Sequence, residues 1–329
     1  MKGFKRNVIG NAVLATAFCA GTQAWGSTHA SDYPTHPLQI IVPSTPGGSV
    51  DTLTRVIGKR LSQELKQAVV IVNKPGAGGT IAAEYVQRAA PDGYTFMMGT
   101  VASMATNVSL EKNLPYYPPR DFAAVSLVAK QHLVLVTGPK FAAKSVADII
   151  AMAKKHPGKL SFASAGVGSA GHLSGELFKM LAGINLLHVP YKGVSPALID
   201  VINGDVTMTF ASTMTALSQV NEGKLHAFAV TSEKRSPTFP NLPTMEEAGV
   251  KDFVSTAWYA LFAPAHTPPN VVKKISQTVA GIVREDDVKK HLASDGMELV
   301  GSTPQELARF DLAEIKKWAA VVKAADLKK

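Results

Sequence analysis

Leu38-Gln39-Ile40-Ile41-Val42-Pro43-Ser44-Thr45-Pro46-Gly47-Gly48-Ser49-Val50-Asp51 carries the pattern from which the fold reads. Leu38 to Val42 is an apolar run of strand length, and Pro46-Gly47-Gly48 is a turn. Val50, Leu53, Ile57, Leu61 and Leu65 then recur on one helical face. The order repeats at once. Val69 to Val72 reads as a strand, Ile81, Tyr85, Val86 and Ala89 as a helix, and Pro91-Asp92-Gly93 as a turn into the strand Tyr94 to Met98. Short buried strands separated by helices predict parallel β-α-β units and an α/β fold.

A second set of units begins near residue 125. Strands are expected at Leu133 to Val136, Leu160 to Ala163, Leu186 to Val189, Val206 to Phe210 and His226 to Thr231. Helices are expected after Ser145, from His172 to Leu181, after Ser195-Pro196 and from about Met214 to Val220. Thr244 with Glu247, and Thr303 with Pro304 and Glu306, have the capping-box pattern. Amphipathic helices from about Pro269 to Arg284 and from Pro304 to Ala325 finish the chain. Ala124 to Leu135 and Trp258 to Pro264 read as crossings between two domains, which makes the first domain discontinuous. The expected organisation is a leader over 1–30, domain 1 over 31–129 and 260–329, and domain 2 over 130–259.

The leader follows from the first thirty residues. Lys2, Lys5 and Arg6 precede an apolar stretch from Val8 to Cys19, and small residues set up cleavage near Ala24 or Ala30. That is the layout of a secretory signal peptide, and its apolar stretch is too short to span a bilayer. Export to the periplasm is therefore expected. Removing 1–30 takes the formal charge of the 329-residue chain from +9 to +6 and removes its one cysteine, Cys19. No disulfide framework or cysteine-held metal is available to what is left. The remaining lysines are scattered pairs such as Lys154-Lys155 and Lys289-Lys290, with no arginine-rich or aromatic-interleaved stretch, so nucleic acid is not an expected partner.

Chemistry concentrates in glycine-rich loops between strand and helix. They are Pro46-Gly47-Gly48-Ser49, Gly76-Ala77-Gly78-Gly79 and Gly166-Val167-Gly168-Ser169-Ala170-Gly171-His172. The helix N-terminus after such a loop offers unpaired N–H groups and partial positive charge to a carboxylate or phosphate. Each loop alone reads first as a plain strand-to-helix turn. Their presence in both halves is what points to a ligand cleft. Gly166, Gly168 and Gly171 match the spacing G-x-G-x-x-G, but no acid closes the next strand at Leu187-His188-Val189-Pro190-Tyr191, so a dinucleotide cofactor is not expected. No Walker loop, nucleophile elbow or histidine metal spacing occurs, and no metal or cofactor is expected. His172 either packs and caps locally or joins the site. Asp51 either favours its own helix end or touches a ligand.

Several stretches together resemble one family. They are Ile41-Val42-Pro43 with Pro46-Gly47-Gly48-Ser49-Val50-Asp51, Asn73-Lys74-Pro75-Gly76-Ala77-Gly78-Gly79, Pro91-Asp92-Gly93-Tyr94 and His188-Val189-Pro190-Tyr191-Lys192-Gly193. Asn203-Gly204-Asp205-Val206, Leu242-Pro243-Thr244, Glu247-Ala248-Gly249 and Ala263-Pro264 follow in order. The chain resembles the Bug-type periplasmic solute-binding proteins of tripartite tricarboxylate transporters over residues 35–329. The resemblance implies a two-domain periplasmic binding protein fold of type II, a clamshell with the ligand cleft between its domains. It implies a monomeric receptor, not an enzyme, that passes a small carboxylate to a membrane permease of one large and one small subunit. By position it points to Pro46, Gly47, Gly48, Ser49, Thr100 and Ser103 on one side. Ser164, Gly168, Ser169 and His172 stand on the other.

One departure bears on the ligand. Many family members carry an acid after the strand ending at Phe210, where this chain has Ala211-Ser212-Thr213. Without it, a ligand amine has no counter-charge, so a di- or tricarboxylate or an aromatic carboxylate is expected, with Ser212 and Thr213 as hydroxyl donors. Two other functions compete: a secreted hydrolase or lyase using Ser169 and His172, and a ligand-sensing subunit of a membrane signalling system.

Overall fold

The computed structural model describes Met1, Gly3 and residues 33–191, 193–293 and 296–327. The expected leader and Cys19 lie outside the described residues. The described residues from 34 to 327 form one compact unit.

Its elements run β1 (Leu38–Val42), α1 (Ser49–Leu65), β2 (Val69–Asn73), α2 (Thr80–Gln87), β3 (Thr95–Thr100), α3 (Asn107–Leu110), α4 (Pro118–Asp121) and β4 (Phe122–Thr137). The second half continues α5 (Val146–Lys155), β5 (Ser161–Ser164), α6 (Ala170–Ala182), β6 (Leu187–Pro190), α7 (Val194–Asn203), β7 (Met208–Ser212), α8 (Thr213–Asn221) and β8 (His226–Val230). The chain ends with β9 (Thr256–Pro264), α9 (Pro269–Ile282), α10 (Asp286–Ala293), β10 (Met297–Leu299) and α11 (Pro304–Ala324).

The strand order is β2-β1-β3-β9-β4-β7-β5-β6, with β8 and β10 also paired to β4. β1 runs parallel to β2 and β3, and β5 runs parallel to β6 and β7. Both neighbours and both faces of β1 are occupied, so Ile40, Ile41 and Val42 are buried, each contributing roughly 1.5–3 kcal/mol of apolar burial.

Two antiparallel strands join these parallel sets. β4 pairs with β9 from Phe122 to His132, then with β7 and β8 from Leu133 to Thr137. It is one strand with two successive sets of partners. Both expected domain boundaries therefore fall inside continuous strands, β4 and β9, and not in loops. A strand there keeps its backbone groups paired through the crossing, which a buried loop could not do.

α11 is fastened across this crossing. Thr303 and Glu306 form the expected capping box, and the indole N–H groups of Trp258 and Trp318 both donate to Glu314 Oε2, at 2.9 and 2.8 Å. The other expected capping box forms its bonds without a helix. Thr244 and Glu247 exchange backbone-to-side-chain bonds of 3.0 Å, but Gly249, at φ +97°, ends the chain reversal after one turn. α3, α4, α10 and β10 lacked a sequence signal, as did a π-helical turn over Ala102–Thr106. Among the described residues, no helix is long and apolar enough to cross a membrane.

Candidate functional site

The first glycine loop is held from behind. Gly47, at φ +86°, donates its N–H to Asp51 Oδ2 at 2.9 Å. Asp51 also accepts Arg55 Nε at 2.9 Å and Asn73 Nδ2 at 2.8 Å, and Asn73 Nδ2 reaches Ser44 O at 3.0 Å. The Asp51 side chain is buried. Burial pushes its pKa up, but the Arg55, Gly47 and Asn73 donors outweigh that and hold it below the ordinary carboxylate value. Of the two roles open for Asp51 in the sequence, the structure shows the one within its own helix end. With the loop pinned this way, Pro46, Gly47 and Gly48 are exposed and Ser49 is half-buried at the start of α1.

Ser49 has neighbours that sequence reasoning missed. Gln131 Nε2 on β4 donates to Ser49 Oγ at 3.3 Å, and Tyr259 Oη on β9 donates to Gln131 Oε1 at 2.8 Å. Ser49, Gln131 and Tyr259 thus form one polar chain, and Tyr259 pairs in register with Thr100 across the β3–β9 ladder. Burial raises the Tyr259 phenol above its ordinary value, so it stays a neutral donor. Nothing local marks Gln131 or Tyr259 in the sequence.

Thr100 and Ser103 bind each other. Thr100 N–H donates to Ser103 Oγ at 3.0 Å, and their hydroxyls lie 3.3 Å apart. Thr100 is half-buried, whereas Ser103 is fully buried and braces the loops: a Cβ on Gly79 would come within 2.8 Å of Ser103 Cβ and 3.1 Å of Pro43 Cβ. The second glycine loop is thus a packing surface for the first.

In the other half, Ser169 caps α6 by accepting the His172 N–H at 3.3 Å. Gly168, at φ +81°, donates its N–H to His172 Nδ1 at 3.1 Å. The His172 ring has no exposure. It lies 4.0 Å from the His188 ring, with Nε2 3.8 Å from Glu176 Oε1. Ser164 Oγ, also buried, accepts the Gly166 N–H at 3.1 Å and lies 2.7 Å from His188 Nε2. Burial, with a lesser contribution from Lys179, pushes His188 down to about 4, so it is neutral near pH 7. Gly171 permits α6 to approach β7, where a Cβ would meet Phe210 O at 2.9 Å. The G-x-G-x-x-G spacing therefore serves a turn and a close helix–strand contact.

Ser212 caps α8 by accepting the Thr215 N–H at 3.2 Å, and the Thr213 hydroxyl is buried with no hydrogen-bond partner among the described residues. The expected residues thus divide by position. Pro46, Gly47, Gly48, Ser49, Thr100, Ser169 and Ser212 present accessible surface. Ser103, Ser164, Gly168, His172 and Thr213 stand buried behind them. The halves meet at this level, since a Cβ on Gly168 would lie 3.3 Å from Leu110 Cδ1 on α3. Cavities of about 840 and 710 Å³ open elsewhere, the larger beside Lys130, His132, Met180 and Phe310, the smaller beside Phe141, Leu217 and Phe239. Neither is lined by the glycine loops. No cluster of metal-ligating side chains occurs among the described residues.

What the arrangement offers is backbone and hydroxyl donors at helix starts, the chemistry of anion capture. Residues 53–327 match the family described as the tripartite tricarboxylate transporter family receptor. The chain belongs to that family. It is 37% identical to Protein BugT of Bordetella pertussis over 300 residues, 91% of this chain and 92% of that one. It is similar to the solved structure of R. palustris Rpa4515 with adipate, with 37% identity, a TM-score of 0.80 and coverage of 89% of this chain and 98% of that one. MatC (Rpa3494) from Rhodopseudomonas palustris, with bound malate, is similar at 32% identity and a TM-score of 0.78, covering 88% and 100%. The fold is thus that of the family's periplasmic binding proteins, which are solute receptors and not enzymes.

Proposed function

We propose that this protein is an exported receptor that captures a small dicarboxylate or related carboxylate and delivers it to a tripartite tricarboxylate transporter permease. The observation that carries the reading is the pair of pinned helix-start loops, Gly47-Gly48-Ser49 and Gly168-Ser169, one in each half. One ligand carboxylate meets the exposed Pro46–Ser49 loop and Thr100. The other end is held by Ser169, Ser212 and Thr213, with Ser103, Ser164, Gly168 and His172 shaping the walls. The Thr213 hydroxyl, buried with no hydrogen-bond partner among the described residues, suits a ligand oxygen. The two halves act as lobes that hinge at β4 and β9, and the receptor works as a monomer after losing its leader.

Support for the ligand class comes from adipate and malate, the molecules bound to two similar structures. The absence of an acid at Ala211-Ser212-Thr213 favours carboxylates without an amine. The test is a thermal-shift panel of adipate, malate, citrate, benzoate, glutamate and aspartate. A specific ligand at 100 times its Kd adds about 2.7 kcal/mol. The reading expects a clear shift with a non-amino carboxylate and no turnover of it; a response to glutamate or aspartate alone overturns the ligand class. Consumption of the carboxylate would favour the hydrolase reading.

Gly48→Val isolates the first loop. Gly48 sits at φ −81°, and a Cβ there would meet nothing nearer than Thr45 O at 3.9 Å, so the chain tolerates the side chain. Tenfold or greater weakening of carboxylate binding, with melting little changed, is expected because the ligand approaches backbone at that point. Unchanged affinity removes the loop from the site.

A further inference from the structure

The two ligand loops share one construction. In each, a glycine near φ +80° donates its N–H to the side chain four residues on, at the third position of the helix that follows. Asp51 plays that part for Gly47, and His172 plays it for Gly168. A carboxylate held below its ordinary pKa accepts at any pH at which the protein works. An imidazole accepts at Nδ1 only while that nitrogen is unprotonated, which puts the ring proton on Nε2.

We propose that His172 is a positioning residue: its neutral ring sets the shape of the Gly168-Ser169 loop through the Gly168 N–H, and protonating Nδ1 undoes that grip on the ligand. The proposal rests on the receptor reading of the loops. Protonation would place two donors face to face at 3.1 Å beside a ring that has no exposure. The loop has no neutral alternative acceptor on the ring, because Nε2 faces the opposite way, toward Glu176. Among the described residues, the titratable groups beside the ring include Glu176, its partner Lys179 at 2.8 Å, and His188 on β6. Phe162 on β5 stacks behind, and Leu110 on α3 closes over Gly168. The ring's charge is thus enclosed, and the local loss of an acceptor outweighs any screened attraction for an anion in the cleft.

Two substitutions separate positioning from packing. His172→Phe keeps a ring against His188 and removes the acceptor. His172→Asn restores an acceptor oxygen near the place of Nδ1 that does not titrate. The probes are adipate and malate, by calorimetry between pH 7.5 and 5.0, with Gly168 amide exchange and His172 ring-nitrogen shifts followed by NMR without ligand. In the unaltered protein, Gly168 protection, corrected for intrinsic exchange, and affinity for the probe that binds should fall together as the ring titrates. His172→Phe should lose tenfold or more in both at pH 7.5. His172→Asn should stay within about threefold of the parent at pH 7.5 and be flat toward acid. Full protection and affinity in His172→Phe, or the parent's acid dependence retained in His172→Asn, overturns the proposal. If His172→Phe fails to fold, the Asn variant and the ring-nitrogen shifts of the parent decide alone. If neither probe binds, adipate and malate are excluded as ligands and the non-amino carboxylate that shifts melting in the panel replaces them, while the Gly168 exchange profile still tests the role of His172.

Discussion

The Gly47-Gly48-Ser49 loop and the Gly168-Ser169 loop are built alike and held by different chemistry. The first hangs on a buried carboxylate that also satisfies Arg55 and Asn73, so three donors from the loop, α1 and β2 converge on one side chain. The second hangs on one imidazole nitrogen backed by a stack of His188 and Phe162. The first has redundant charge-assisted bonds and leaves its glycines exposed. The second is held by neutral bonds, with Gly168 on His172 Nδ1, and buries Gly168 under Leu110. Equal geometry thus comes with unequal robustness, because charge-assisted bonds are roughly twice as strong as neutral ones.

The largest expected effect comes from breaking the stronger anchor. Asp51→Ala removes the acceptor shared by Gly47, Arg55 and Asn73 and should cost about 2 kcal/mol of stability, measured by urea unfolding, together with the carboxylate response. Because the folded pKa of Asp51 is depressed, its contribution is present above the unfolded value and is lost as pH falls through the lower, folded one. A loss under 1 kcal/mol would show that loop 1 does not depend on this carboxylate. A smaller effect separates the glycines. Gly47→Ala and Gly168→Ala each force a side chain into the left-handed region, at about 1 kcal/mol. Gly168→Ala should cost more, since its Cβ also meets Leu110, whereas Gly47 has open space. Equal melting temperatures would remove that asymmetry. The smallest effect is Tyr259→Phe, which takes one hydrogen bond from Gln131 and should cost about 0.5–1 kcal/mol. A tenfold change in ligand affinity from this variant would move Tyr259 from the surroundings of loop 1 into the site.

Much of this was legible in the chain. The apolar runs and helical stripes placed β1, α1 and the alternation that follows, because buried parallel strands and amphipathic helices must carry those periodicities. Capping at Ser145 and Thr303 was readable because a cap acts within three residues. The same local pattern at Thr244 produced no helix, because Gly249 ended it after one turn. Short α10 and β10 carry too few residues for a periodicity to show. Gln131 and Tyr259, 128 positions apart, meet only because β4 and β9 pair.

By itself, then, the sequence determined the element alternation, the position of the glycine loops and the resemblance to a receptor family, since these depend on neighbours in the chain. Only the tertiary structure decided what Asp51 and His172 do. Each could have faced a ligand or its own loop, and the choice depends on Asn73, His188 and Phe162, which folding brings from other strands to bury the two side chains. Burial of a polar group requires a partner, and in both loops one such partner is the N–H of the glycine that makes the turn.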